Sequence, residues 1–434
     1  MRDLTARLRE IVKRERAAAG VVGDAAPIRE LTFEPDAASL DGRTLAAAAS
    51  YLGGTLCDDG ACLVIDRVWA GDRSHGRRRI ESCVPDESAP VRLLDPRTAA
   101  YADWPRRVVF FDIETTGLSG GAGTLAFLVG CAWFESGSLR VRQFFVAGPS
   151  GEPAMLRRLA EVFDDASLLV TYNGRSFDVP LMETRWAFHR SPAPTDDLPH
   201  FDMLPPARRL WSRREQEGSC SLSSLERSVI GFHRLADVPG FEIPARYFHF
   251  LRTTDARSID GVLEHNRHDL VSLAVVMSHA LWLVQEGPDA CREPAERLAL
   301  GRIYEAAGEM VRAEQAFDAA AATGDWDLRQ HALARLAVLL RRADRHPEAA
   351  AAWQGVLDAA PHRRAGLNPL ERRAAVALAI HHEHRARSLP DAKHYATLLD
   401  PSADVQHRLT RIDRKIASAG NAKGDPWAAP LLDQ

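Results

Sequence analysis

The run Val108-Val-Phe-Phe-Asp-Ile-Glu114 limits what this chain can fold into more than any other stretch of it. Its bulky apolar residues read as a strand buried on both faces. Asp112 and Glu114 close the run, and because side chains alternate along a strand they point the same way, with Val108 and Phe110. Two carboxylates side by side beyond an apolar strand repel one another unless a positive charge sits between them. A hard divalent cation answers that need, since Mg²⁺ takes oxygen ligands and commonly binds one or two carboxylates together with a substrate phosphate. A polar strand end capping a loop accounts for the pair as well, so Asp112 and Glu114 alone do not decide between chemistry and packing.

Two more strand-like runs follow, TLAFLVGCAWFE and SLRVRQFFVA, joined by a turn at Glu135-Ser136-Gly137. A helix over 152–165 carries Met155, Leu156, Leu159, Val162 and Phe163 on one stripe. The strand SLLVTYN then leads into a helix opening near Ser176, a short strand lies at HFDML, and the last helix of the region spans about 258–286. Three consecutive strands, then alternating helices and strands, predict a mixed five-stranded sheet covered by helices.

The flanks differ. Residues 1–24 read as an exposed amphipathic helix, and 51–104 as short β-like text broken by Gly, Asp and Pro. Strand signals stop after about 294. There Leu300-Gly301-x2-Tyr304 and Ala313-x3-Phe317 fit the tetratricopeptide pattern, with a second copy 36 residues later at Leu336, Leu340, Ala349, Trp353 and Pro361, and a weaker third over 371–401. Roughly three helix pairs would stack into a short solenoid; a generic helical extension is the plain alternative. The division expected is an N-terminal helix and small β-rich extension (1–104), an α/β domain (105–288) and all-α tetratricopeptide-like repeats (294–420). A chain of 434 residues holds two or three such domains.

Composition excludes several classes. Six cysteines without a CxxC pair read as reduced thiols, not a disulfide framework. The first twenty residues mix acids with bases and lack the apolar core of a signal peptide. No window offers the roughly 18 uninterrupted apolar residues of a membrane span. A cytoplasmic protein without a membrane partner is the expectation.

Two further acids stand on defined elements. Asp178 follows the strand SLLVTY within YNGRSFDVPLM, where the helix dipole alone would favour an acid in the first turn. Asp269 lies on the long helix whose core stripe is Ile259, Leu263, Asn266, Leu270, Leu273 and Met277. His265 and Asp269 are an i, i+4 pair and share a face, which by itself could be an ordinary surface contact.

Taken together and in this order, the phrases form a pattern. FDIETTGLSGGAG resembles the first motif of the DEDD 3′–5′ exonucleases, YNGRSFDVP the second and HNRHD the third. More narrowly, residues 105–285, with SCSLSSLE, PGFEIPARYFHFL and EHNRHDLVSLA, resemble the YprB-type ribonuclease H-like family. The resemblance implies a ribonuclease H-like fold and a metal-dependent nuclease that trims single-stranded DNA or RNA from the 3′ end. It implies that Asp112, Glu114, Asp178 and Asp269 hold two Mg²⁺ or Mn²⁺ ions, with Asp112 shared between them. Thr115, Thr116, Gly117 and Asn173 would meet the substrate. His265 stands four residues before Asp269, the spacing at which this family type places a tyrosine, with Glu264 at the fifth position. A histidine there can accept a proton from attacking water. Endonuclease action on the same fold stays open, as does a binding scaffold that does not cut, although a scaffold has no need of four acids. The repeats would hold a protein partner.

Other signals carry less. Gly121-Ala-Gly-Thr-Leu-Ala126 matches a dinucleotide fingerprint, but strand-like text follows it where a helix is required. His381, His382, Glu383 and His384 read as a solvated helix face. The arginine pairs at 157–158, 208–209, 213–214 and 363–364 could track phosphates, and Tyr172, Trp186, Trp211 and Tyr247 could stack bases, though core packing explains these aromatics equally well.

Overall fold

The computed structural model describes residues 42–57, 60–85, 90–97, 107–117, 123–211, 220–359 and 366–423; the helix expected over 1–24 and the first two residues of the Gly121–Ala126 motif lie outside them. The chain divides into two compact units. One comprises Met1–Ser88, Thr98–Pro205 and Ser219–His279, the other Ala89–Arg97, Pro206–Gly218 and Ala280–Gln434.

The first unit is built on one sheet of strands β1 (Thr55–Cys57), β2 (Cys62–Trp69), β3 (Val108–Thr115), β4 (Ala126–Glu135), β5 (Ser138–Phe145), β6 (Leu168–Thr171) and β7 (His200–Asp202). Their order is β1-β2-β5-β4-β3-β6-β7, with β3, β6 and β7 parallel and the other neighbours antiparallel. The five strands expected from the sequence are the contiguous block β5-β4-β3-β6-β7. The sheet is wider by two, because β2 pairs with β5 from Leu63↔Phe145 to Trp69↔Leu139. Asp66 and Arg67 made that stretch read as a separate extension. Asp66 in fact lies opposite Arg142 and accepts from it at 2.7 and 2.9 Å, so the break in the apolar pattern is a cross-strand ion pair.

Helices α1 (Gly42–Leu52), α2 (Glu152–Asp164), α3 (Asp178–Phe188), α4 (Ile243–Thr253) and α5 (Arg257–Glu286) accompany the sheet. Tyr247 of α4 stacks on Phe127 of β4 with ring centroids 4.0 Å apart, and Phe145 and Phe250 complete the cluster. Trp186 and Tyr247 are core residues, which removes them as base-stacking candidates. Trp211, assigned to the second unit, is buried as well and donates to Glu296 at 3.1 Å. By length and hydropathy α5 could cross a bilayer, yet 72% of its most apolar stretch is buried inside the protein.

The close approach of α5 to the sheet depends on Gly130 in the middle of β4. A Cβ there would stand 2.2 Å from Asn266 Oδ1 and 2.7 Å from Leu270 Cδ1, distances no side chain tolerates. Glycine weakens a strand, and this one is used where a helix must lie against backbone.

The second unit is all helical: α6 (Pro294–Ala307), α7 (Met310–Ala321), α8 (Trp326–Arg342), α9 (His346–Asp358), α10 (Pro369–His384), α11 (Leu389–Thr397) and α12 (Ala403–Lys423). Each packs on the next. Leu300, Tyr304, Ala313 and Phe317 are buried, and Gly301 makes room for the Phe317 ring, which a Cβ would meet at 2.4 Å. Gly308 ends α6 in the left-handed region at φ +82°. Pro361 lies outside the described residues.

Gly130→Ala is expected to destabilise the protein by about 1–3 kcal/mol, the usual cost of overpacking a filled interior. Chemical denaturation measures it. A loss within roughly 0.5 kcal/mol, the range of an ordinary surface change, would show that α5 does not need the missing side chain.

Candidate metal centre

Strand β3 pairs with β4 from Phe110 to its end at Thr115, but β6 pairs with it only from Val108 to Phe110. Beyond that point the parallel neighbour turns away, and Asp112 and Glu114 stand at the carboxyl end of the pair, the usual crevice for ligands in open α/β sheets. The register shifts between Glu114 and Thr115, a bulge that re-aims the strand end. Asp178 arrives from the loop after β6, as the buried first residue of α3. Asp269 and His265 come from α5. Glu114, His265 and Asp269 offer ligand atoms that all lie within 4.8 Å of one another. His265 Nε2 is 3.3 Å from Asp269 Oδ2 and 4.0 Å from Glu114 Oε1.

Asp112 is oriented from behind. Asn266 Nδ2 donates to its carboxylate at 2.8 Å, and Gln143 Nε2 donates to Asn266 Oδ1 at 2.8 Å and to the Leu263 carbonyl at 2.9 Å. Both amides are fully buried. Asn266 belongs to the apolar stripe of α5 as the sequence suggested, and it is there because its amide serves the acid across the gap that Gly130 leaves.

Sequence reasoning missed a second set. Arg234, with only 6% of its side chain exposed, forms ion pairs with Glu226 at 2.5 Å, with Asp237 at 3.1 Å, and with Asp269. Asp237 accepts from His265 Nδ1 at 2.9 Å. These residues lie in ERSVIGFHRLADV, a stretch without helical or strand period, so no pattern singled out one arginine among many. The hairpin of Ser74–His75 and Arg78–Arg79 clamps that stretch: the Arg77 backbone donates to Ile230 O at 2.8 Å and its guanidinium to Val229 O at 2.5 Å. Gly76 at φ +59° turns the hairpin, and a Cβ there would lie 2.2 Å from Ile230 O. The N-terminal stretch to which the sequence assigned no role thus supports the segment carrying Arg234.

Asp202, also missed, ends β7 and accepts from the backbone of Asn173 at 2.8 Å, Arg175 at 3.2 Å and Leu204 at 3.0 Å. It fixes the loop that delivers Asp178. Asn173 sits at φ +66°, and its backbone N–H is spent on that loop. Thr115 Oγ1 donates to Gly117 O at 2.8 Å, whereas Thr116 Oγ1 accepts from Leu125 N at 3.0 Å and keeps its O–H as a donor. Of the signals set aside, Ala126–Glu135 is a strand, as the dinucleotide reading does not allow. Glu383 is buried and bound by Arg411 and Lys415, an internal ion-pair cluster where a solvated face was expected.

The electrostatics follow from gathering these acids out of water. Burial, then the charges of Asp269, Glu114 and Asp178, push Asp112 well above the carboxylate range. Burial and the charges of Asp269, Asp178 and Asp237 do the same to Glu114. Burial and Asp202 lift Asp178 to about 7. Burial opposes charge on His265, but the hydrogen bond to Asp237 and the charges of Asp269 and Asp237 outweigh it and hold the imidazole above its ordinary value. Such a donor set, all carboxylate oxygen with one imidazole nitrogen, fits a hard divalent cation. Asp237 behind His265 is the carboxylate that a metal-facing imidazole ordinarily has on its other nitrogen.

A mixed sheet in this order, with acids at the carboxyl end of its central parallel strands and on the helix that covers them, defines a ribonuclease H-like domain, the fold of nuclease-type hydrolases. Residues 109–281 match the RNase_H superfamily. Over 323 residues, 71% of this chain and 75% of its relative, the sequence is 32% identical to the "Uncharacterized protein YprB" of Bacillus subtilis strain 168. The chain belongs to the YprB family.

In chelator, the protein is expected to lose stability as pH rises. Asp178 binds its proton more tightly folded, at about 7, than unfolded, near 3.8, so its contribution is full below pH 4 and gone above 7. Asp112→Asn removes one repelling charge and should raise the melting temperature in chelator at pH 8. Added Mg²⁺ or Mn²⁺ should raise that of the wild type and leave the variant nearly unchanged. Wild-type protein that melts at the same temperature with and without cation at pH 8 would sink the metal assignment.

Proposed function

We propose that this chain is a divalent-cation-dependent nuclease that shortens single-stranded DNA or RNA from the 3′ end, in the cytoplasm. The observation that carries this reading is the convergence of Asp112, Glu114, Asp178 and Asp269 from a strand end, a helix start and a covering helix, close enough that the charges of the other three all raise the pKa of Asp112. A scaffold that only binds gains nothing from burying four acids together. Divalent cations held by these four residues, two on our reading, would supply Lewis-acid stabilisation of the charge on the scissile phosphate.

The chain's own residues do the rest. Asn266 fixes Asp112 in one orientation, and Arg234 fixes both Asp269 and Asp237. Asp237 accepts at His265 Nδ1, which turns Nε2 toward the acids. As water attacks phosphorus, the neutral form of His265 takes its proton at Nε2, the P–O3′ bond breaks with O3′ taking a proton from solvent, and Asp237 offsets the imidazolium charge that results. Thr116, whose Oγ1 accepts from Leu125 N, would donate its O–H to the terminal nucleotide. The helices of the second unit, read as tetratricopeptide-like pairs, serve binding.

End-labelled single- and double-stranded oligonucleotides test this. Cleavage is expected with Mg²⁺ or Mn²⁺, to vanish in chelator, and to release labelled mononucleotide from the 3′ end first. Asp112→Asn and Asp178→Asn should each cost several orders of magnitude, and His265→Ala ~10²-fold in turnover with affinity retained. An Asp112→Asn protein that cuts as fast as wild type refutes the assignment.

A further inference from the structure

The second unit carries a surface unrelated to the acids. Besides packing on its sequence neighbours, α6 packs on α8 and α8 on α10, so alternate helices lie side by side and line one groove. That groove holds a cavity of about 360 Å³ whose rim is basic: Arg302 from α6, His331, Arg335 and Arg342 from α8, and Arg373 from α10. Along α8 the spacing 331, 335, 338, 342 follows the helical period, so these side chains and Val338 form one stripe.

The guanidinium groups are arranged, not scattered. Glu305, itself mostly buried, accepts from Arg335 at 3.4 Å and Arg342 at 3.0 Å, and one carboxylate thus holds two cations in the groove without cancelling both. Arg373 lies over Trp353 at 5.5 Å, a contact that engages its face and spends none of its N–H donors. Arg335 and Arg342 remain 50% and 64% exposed. Guanidinium is weakly hydrated and grips phosphate through two parallel N–H groups. Arg335 and Arg342 meet at the Glu305 carboxylate, while Arg302 and Arg373 come from the helices on either side, so the guanidinium groups are spread over three helices and suit a chain of phosphates.

We infer that α6, α8 and α10 form a sequence-independent groove for the phosphate backbone of single-stranded nucleic acid. It engages a part of the strand other than the one being cut. Nucleic acid is favoured over an acidic peptide because the same chain carries a site for phosphodiesters, so the inference rests on the proposed function for its choice of polyanion.

The test uses the full chain in chelator, where no strand is cut, and a fluorescein-labelled 30-nucleotide single strand followed by anisotropy at several salt concentrations. Replacing Arg335, Arg342 and Arg373 by Gln should weaken binding at least tenfold. It should also lower the slope of log affinity against log salt by roughly two, since each lost contact to a single strand removes about 0.7. Because two of these arginines also hold Glu305, the pair Arg302→Gln/Arg373→Gln serves as an independent variant, with about two-thirds of the change in slope. Unchanged affinity and slope in both variants overturn the proposal. So does an acidic peptide whose binding the variants abolish while oligonucleotide binding persists. Groove-dependent binding by a chain that never cuts with Mg²⁺ would defeat the nuclease reading and leave this one standing.

Discussion

Four carboxylates brought together out of water repel one another, and most of the first unit's construction answers that single difficulty. Burial raises the pKa of Asp112, Glu114 and Asp178, and the neighbouring carboxylates raise it further. Two features offset the cost from within the chain. Arg234 threads between Asp269, Asp237 and Glu226, and His265, kept above its ordinary pKa by Asp237, faces Glu114 and Asp269. Arg234 and His265 cover the side of the cluster formed by α5. Among the described residues Asp112 and Asp178 form no ion pair with a cation, and burial raises the pKa of both. The asymmetry marks where positive charge from outside the chain would act most strongly.

Holding such a cluster requires a rigid frame, because charges that can move apart will do so. The frame is a relay of buried amides, Gln143 on β5 to Asn266 on α5 to Asp112 on β3, which crosses β4 at the one residue without a side chain, Gly130. Its members are neutral, so they add no charge to the site while fixing one oxygen of Asp112. A second frame holds Arg234. The hairpin before β3 clamps the segment at Val229 and Ile230, and Glu226 anchors the guanidinium from below. Stability is thereby drawn from elements far apart in sequence to hold charges that alone would oppose folding.

This distribution explains what could be read from the sequence. The acids were visible because each lies on an element with a strong local period: the apolar strand before Asp112, the buried strand before Asp178, the stripe on α5 beside Asp269. The five central strands and the helical second unit were legible for the same reason. Arg234, Asp237 and Asp202 were not. Arg234 and Asp237 act from a loop whose shape comes from tertiary contacts, and Asp202 ends a strand too short to mark one acid; each looks like any other until its partners are placed. The stretch holding the two extra strands read as β-like, but their place in the central sheet was hidden, because Asp66 breaks the apolar pattern and its partner Arg142 is 76 residues away. Local pattern reports which face is buried; it does not report a charge pair closed across the sheet.

The net charge of −4 conceals a separation that the fold makes plain. Acids concentrate at the end of β3 and on α5, where their partners are a few buried cations, while arginines gather along one face of alternate helices in the other unit. A polyanion is repelled by bare carboxylates and attracted by guanidinium groups that remain in water. On electrostatic grounds, then, binding and cutting call for opposite surfaces, and a chain that performs both must place them on different elements. An average over composition cancels the two, which is why charge counted from the sequence pointed to neither.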